Sequence, residues 1–223
     1  RVKPFILRRR KNEVAKELPE RLDNILYCDL SEEESELYQN IFLATKKEVL
    51  EQLNIKNNWM QALEALLRLR QAVCFAGLIP GIERDSSTKI DLLIRRLSEC
   101  LSGGHKVLVF SQWTKFLDKI QQETEKNEMK TLRIDGSTVD RARIVQLFQT
   151  DPEHKILLLS LKAAGVGLNL TAADHVFIMD PWWNPASEQQ AADRAHRIGQ
   201  TKPVFVYRMV ARGTIEEKIL ALQ

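Results

Sequence analysis

Five short apolar runs in the second half of the chain leave it few ways to fold: KVLVFS at 106–111, TLRID at 131–135, KILLLS at 155–160, HVFIMD at 175–180 and VFVYRM at 204–209. Each has the length of a strand, and helical patterns such as KIDLLIRRLSECL, WTKFLDKIQQET and VDRARIVQLFQT alternate with them. Strands that are apolar at nearly every position are buried on both sides, and strands separated by helical crossovers pair in parallel. The expected fold class is therefore α/β, a parallel sheet with helices on both faces. In such a sheet ligands bind outside the carboxyl ends of the strands, which directs attention to the loops SQWT, DGST, SLKAAGVGLNLTAAD and DPWWNPA. These loops are rich in Gly, Ser, Thr, Lys and Asn, whose hydroxyls, backbone N–H groups and charges hold phosphates.

The first half reads differently. Residues 1–24 are basic, with RRRK at 8–11, and read as a solvated linker. ILYCDL at 25–30 has strand character, and Ser31 with Glu34 makes a capping-box signal for a long helix reaching about Leu53. A second helical stretch, WMQALEALLRLRQAVCF, starts at Trp59 and ends at the breaker GLIPG. With 223 residues, 44% of them hydrophobic, the chain can bury a real core. Its 33 basic residues nearly balance 30 acidic ones, so any nucleic-acid surface must come from placement rather than from net charge. Three widely spaced cysteines without a CxxC pair favour neither a disulfide framework nor a zinc site, and no apolar run approaches a membrane span.

The stretch QQAADRAHRIGQ at 189–200 carries two arginines among small residues. Asn184 and Pro185 suit the cap and first position of a helix, and Gly199 suits its end. On such a helix Gln190, Arg194 and Arg197 share one stripe, beside an apolar stripe of Ala191, Ala195 and Ile198. A helix begun at Ser187 would instead place Gln190 in a capping box and let Arg197 pair with Asp193, leaving the stripe a wet surface. Spacing alone does not choose between the two.

SLKAAGVGLNLTAAD, DPWWNP and QAADRAHRIGQ resemble the late motifs of the Swi/Snf-type DNA translocases of helicase superfamily two. KPFILRR, ELPER, LRLRQAV, STKIDLL and VLVFSQ resemble, in order, further landmarks of that family's second motor half, so the likeness spans nearly the whole chain. It implies a RecA-like C-terminal motor lobe with a helical protrusion, divided as a basic linker at 1–24, a strand and protrusion at 25–88, the RecA-like lobe at 89–214 and the start of a brace helix at 215–223. The partner it implies is an N-terminal RecA-like lobe that holds most of the ATP and Mg. No GxxxxGK[ST] phosphate loop occurs in the 223 residues, so the chain alone is not expected to turn over ATP.

The resemblance also assigns roles. Arg194 and Arg197 go to the ATP phosphates, with Arg197 the first choice for an arginine finger and Gln190 a helper; guanidinium suits the task because it stays charged and grips phosphate oxygens bidentately. Gly165, Gly167 and Asn169 fall near the nucleotide, where glycines let backbone approach closely. Ser111, Gln112, Gly136, Ser137, Thr138, Ser160, Lys162 and Trp183 fall to DNA. His196 is read as structural, Trp182 as packing, and no metal ligand is assigned. In a lobe without its partner, both arginines should be largely exposed and short of partners.

The function implied is ATP-dependent tracking along double-stranded DNA, with a DNA-bound protein as a further target and no membrane. An intracellular location follows, nucleoid or cytoplasm in a prokaryote and nucleus in a eukaryote. Two rivals stand beside this reading: a strand-separating helicase lobe, and a non-catalytic nucleic-acid-binding module on the same fold.

Overall fold

The computed structural model describes residues 17–52, 59–82, 84–164 and 167–223. RRRK at 8–11, most of the 1–24 segment and Gly165 lie outside them. Six strands, β1 (Arg21–Cys28), β2 (Val107–Ser111), β3 (Thr131–Ile134), β4 (Ile156–Ser160), β5 (His175–Ile178) and β6 (Val204–Ala211), form one sheet in the order β1-β6-β5-β2-β4-β3, every pair parallel. The expected parallel α/β sheet is therefore what the chain builds. One boundary differs: β1 begins at Arg21, so residues 21–24 are strand rather than linker. The reason is pairing, since Arg21 through Cys28 run in register beside Val204 through Ala211, and a ladder can recruit polar residues that carry no strand signal.

Both faces are covered. Alternate residues of the central strands enter opposite cores: Leu108, Phe110, Leu157, Leu159, Val176 and Ile178 pack under α5 (Arg141–Thr150) and α7 (Pro185–Ala192). Val107, Val109, Ile156, Leu158 and Phe177 pack under α3 (Thr88–Ser102) and α4 (Thr114–Lys126). Period-two alternation with both sides apolar is why these strands read as continuous hydrophobic runs. A single turn, α6 (Leu161–Ala164), follows β4, and α8 (Ile215–Ala221) follows β6.

The helical pair α1 (Glu32–Gln52) and α2 (Trp59–Cys74) packs beside the β1–β6 edge through Tyr38, Leu69, Ala72 and Val73 against Cys28 and Ala211. The capping box at its start forms in both directions: Ser31 Oγ accepts from Glu34 N–H at 3.2 Å, and Glu34 Oε2 accepts from Ser31 N–H at 3.0 Å. Glu34 also accepts from the backbone N–H and the hydroxyl of Thr88, which fastens α1 to the first turn of α3. Among the described residues no helix is long and apolar enough to cross a membrane.

Candidate functional site

Because all six strands are parallel, the loops after β2, β3, β4 and β5 leave from one edge of the sheet, the carboxyl edge. After β3, Asp135 shapes the DGST turn: its carboxylate accepts from the Ser137 N–H at 2.9 Å and hydroxyl at 2.6 Å, while Thr138 Oγ1 accepts from Asp135 N–H at 2.9 Å. Gly136 and Ser137 are left exposed at the tip and Thr138 half-buried. Lys162 is exposed on α6, and Trp183 is exposed after β5. A cavity of about 380 Å³ opens among Leu67, Gln112, Lys162, Trp182 and Ser187.

Two residues expected at DNA face inward instead. Ser111 is fully buried, its hydroxyl accepting from Trp113 N–H at 3.0 Å, and Ser160 is buried with its hydroxyl accepting from Ala163 N–H at 3.3 Å. Both sit at the last position of a central strand, where the hydroxyl accepts from an N–H of the departing segment. Gln112 is half-buried; its N–H donates to both oxygens of Asp180, and its Nε2 is buried without a partner.

Gly167, Asn169, Arg194 and Arg197 form a second group, where the connection from α6 to β5 passes the segment after α7. Asn184 caps α7, accepting from Ala186 N–H at 3.0 Å with Pro185 at the first position. The helix then stops at Ala192, and residues 193–199 run on as tight turns, so Gln190, Arg194 and Arg197 do not share a helical stripe. Past it the turn tightens, Arg194 and Ala195 N–H donating to Ala191 O and Ala192 O at 3.1 Å each, while Leu170 N–H takes Arg194 O at 3.0 Å. The buried Gln200 completes the interruption, its Nε2 donating to Thr171 O, Ala173 O and Ala195 O at 3.0, 2.8 and 3.1 Å. Gly199, at φ 102°, makes the turn that brings Gln200 inward. His196 Nε2 lies 2.8 Å from Pro19 O, a structural contact.

Arg197 is exposed, as expected, with Nη1 3.4 Å from Gly167 O. Arg194 is half-buried rather than exposed, and its Nε is buried without a hydrogen-bond partner. Burial, reinforced by the charge of Arg197, pulls the Arg194 guanidinium below its ordinary range, with Asp193 offsetting only part. Two cations thus stand side by side, an arrangement that an anion would stabilise. Gly167 and Asn169 are exposed next to it, with Asn169 O accepting from Gln149 Nε2 at 2.9 Å; Gln190 is exposed on α7.

Three charged groups near the carboxyl edge lie within the stretches LRLRQAV, STKIDLL and DPWWNP, but the sequence assigned them no role. Lys89 is fully buried and its Nζ reaches Met179 O at 2.8 Å and Glu216 Oε1 at 2.5 Å. Burial opposes its charge, but Glu216 prevails and raises it above the ordinary lysine range. Asp180 is buried and its carboxyl is pushed up to about 7 by burial, against the Ser111 hydroxyl and the charges of Arg70 and Lys89. Arg70 is buried on α2. Its signals in the sequence were the LRLRQAV landmark that contains it and its place three residues before the buried Val73.

At the opposite, amino edge, His105, Asp174 and His175 bring three metal-ligand atoms within 4.8 Å of one another. Asp174 accepts from the two imidazole Nδ1 atoms at 2.9 Å each, and Lys202 Nζ stands 3.4 Å from it. Its oxygens are thereby used within the protein.

The profile described as "Helicase conserved C-terminal domain" matches residues 88–199, and that of the "SNF2-related domain" matches residues 1–78. The chain belongs to the helicase C-terminal domain family, as a Swi/Snf-type, RecA-like lobe. An uncharacterized ATP-dependent helicase of Mycoplasma genitalium, MG018, is 39% identical over 99% of this chain and 21% of its own length. DNA repair protein RAD5A of Arabidopsis thaliana is 48% identical over 61% of this chain and 14% of its own length. Among solved structures, the C-terminal part of the Fun30 ATPase domain has a TM-score of 0.81 at 26% identity, covering 92% of this chain and 90% of that one. The Sulfolobus solfataricus SWI2/SNF2 ATPase core in complex with dsDNA has a TM-score of 0.77 at 31% identity, covering 100% and 48%. The chain thus spans about a fifth or less of the curated relatives named here.

Proposed function

We propose that this chain is the second motor lobe of an ATP-dependent double-stranded DNA translocase or remodeller. It meets a nucleotide-bearing first lobe with Arg194 and Arg197 and holds duplex phosphates with its carboxyl-edge loops. The observation that carries the reading is the arginine pair: a half-buried guanidinium with an orphaned Nε beside an exposed one, next to Gly167 and Asn169. Phosphate is the ligand that fits two guanidiniums and open backbone. ATP supplies the phosphoryl group whose transfer drives movement, and Mg comes with it, held by the first lobe. In this reading α1 and α2 form the protrusion within 25–88, residues 89–214 the RecA-like lobe, and α8 opens the brace.

Relatives support the substrate class, being named as helicases, a DNA repair protein and a chromatin-remodelling ATPase, with one neighbour solved on dsDNA. Gln112, Gly136, Ser137, Thr138, Lys162 and Trp183 take the DNA side. Phosphate contacts suit a motor that must hold any sequence equally and should weaken with salt.

The test is Arg197→Ala in the protein that carries this chain beside its first lobe. DNA-stimulated ATPase should fall about a thousandfold, with DNA binding retained in the absence of nucleotide. An unchanged ATPase overturns the finger assignment. Displacement of a triplex-forming strand without unwinding of the duplex should separate tracking from strand separation.

A further inference from the structure

We propose that Arg70 is a positioning residue: one buried guanidinium that ties the α1–α2 pair to the loops after β2 and β5 and sets the pose of Trp183. The proposal rests on the translocase reading for its consequence, but its geometry is independent of it.

Arg70 is 2% exposed, and its Nη2 donates to Pro181 O at 2.8 Å. Its Cζ stands 5.0 Å from the Trp182 ring and 5.9 Å from the Trp183 ring, within the range of cation–π attraction to both. Asp180, the neighbour of Pro181, lies 4.0 Å away, beyond hydrogen-bond reach, and accepts instead from the Gln112 N–H at 3.2 Å. One side chain of α2 therefore meets the loop that carries Trp183 and, through Asp180, the loop that carries Gln112. Leu67, one turn earlier on α2, lines the same cavity as Gln112, Lys162 and Trp182. Through Leu67, α2 is thus part of the wall of this groove.

The backbone of this loop has its own anchors. Trp182 N–H donates to Glu188 Oε1 at 2.7 Å, and Gln223 Nε2 donates to Trp182 O at 2.6 Å. Arg70 adds the grip on the rings. Burying a guanidinium is costly, and a methionine would fill the space without that cost. What methionine lacks is simultaneous hold on a carbonyl and two π faces. A shift of α2 must therefore move Trp183, the one large aromatic exposed in this loop.

The test compares Arg70→Met, which keeps volume, with Arg70→Lys, which keeps charge but not the planar fork, in the protein carrying both lobes. For Arg70→Met, the DNA concentration giving half-maximal ATPase should rise about tenfold, while the rate at saturating DNA falls far less. Tryptophan emission should shift, and the shift should shrink, leaving the Trp182 response, in a Trp183→Phe background. Arg70→Lys should recover part of both. A folded Arg70→Met protein with unchanged half-saturation and unchanged emission overturns the proposal; should that variant fail to fold, Arg70→Lys is read by the same two measurements. If the unsubstituted protein shows no DNA-stimulated ATPase, the translocase reading fails instead. Tryptophan emission and hydrogen exchange at residues 180–183 then decide the role of Arg70.

Discussion

Asp174 and Asp180 stand at opposite ends of β5, one residue before it and two after it, in opposite electrostatic states. Burial works to raise both carboxyls. At Asp174, hydrogen bonds and charge from His175 and His105 overcome it and bring the group down to about 2. At Asp180 burial wins, and the group is pushed up to about 7 even though Arg70 and Lys89 are near. At the amino edge, Asp174 is matched by the His105 and His175 imidazoles at 2.9 Å each and by Lys202 Nζ at 3.4 Å. The carboxyl edge is left partly unmatched, with an orphaned Gln112 amide and a guanidinium shared between a carbonyl and two rings. The difference teaches that the same burial leaves a carboxylate ionised or protonated according to the partners that reach it.

The largest expected break in this comparison is Lys89→Met, which leaves the buried Glu216 carboxylate without its cation, held by the Ala211 N–H at the carboxyl end. It should cost about 3–5 kcal/mol by urea denaturation, and adding Glu216→Leu should recover most of it.

Next comes pH. The unfolded chain releases the Asp180 proton near pH 4 while the folded chain keeps it to about 7, so this group lowers stability as pH rises across that window. Asp180→Asn should flatten the fall. Asp174 acts in the reverse sense: its stabilisation is full above about pH 4 and is lost as pH drops toward 2. Asp174→Asn should remove that acid limb from the denaturation profile and leave DNA half-saturation unchanged.

The smallest effect belongs to Gly103→Ala at the amino edge. An added Cβ would lie 2.7 Å from the His105 ring, which must swing away from Asp174. About 1 kcal/mol should be lost, the worth of one hydrogen bond, with no change in ATPase.

Much of this was legible in the chain because burial on both faces writes itself as apolar runs, and five of the six strands announce themselves that way. Asn184-Pro185 and Ser31 with Glu34 were legible for a similar reason, since caps act through neighbours in sequence. The end of α7 was not. It depends on Leu170 and Gln200 capturing carbonyls, and neither partner is fixed by local pattern. Nor could residue type tell that Ser111 and Ser160 turn inward while Ser137 stays at a loop tip, because a hydroxyl suits either place. The half-buried state of Arg194 was not legible, because it depends on tertiary neighbours such as the 167–170 connection that meets its backbone.

The pairing of β1 with β6 carries a consequence for how the protein is made. Arg21 must wait for Val204, and at about 5–20 residues per second of synthesis that delay is on the order of ten seconds or more. Until then the strand next to the basic segment has no neighbour, while β2, β3, β4 and β5 can already associate. The nascent lobe is therefore latched last by its earliest strand, and a chaperone that shields residues 21–28 would be guarding the keyhole rather than the lock.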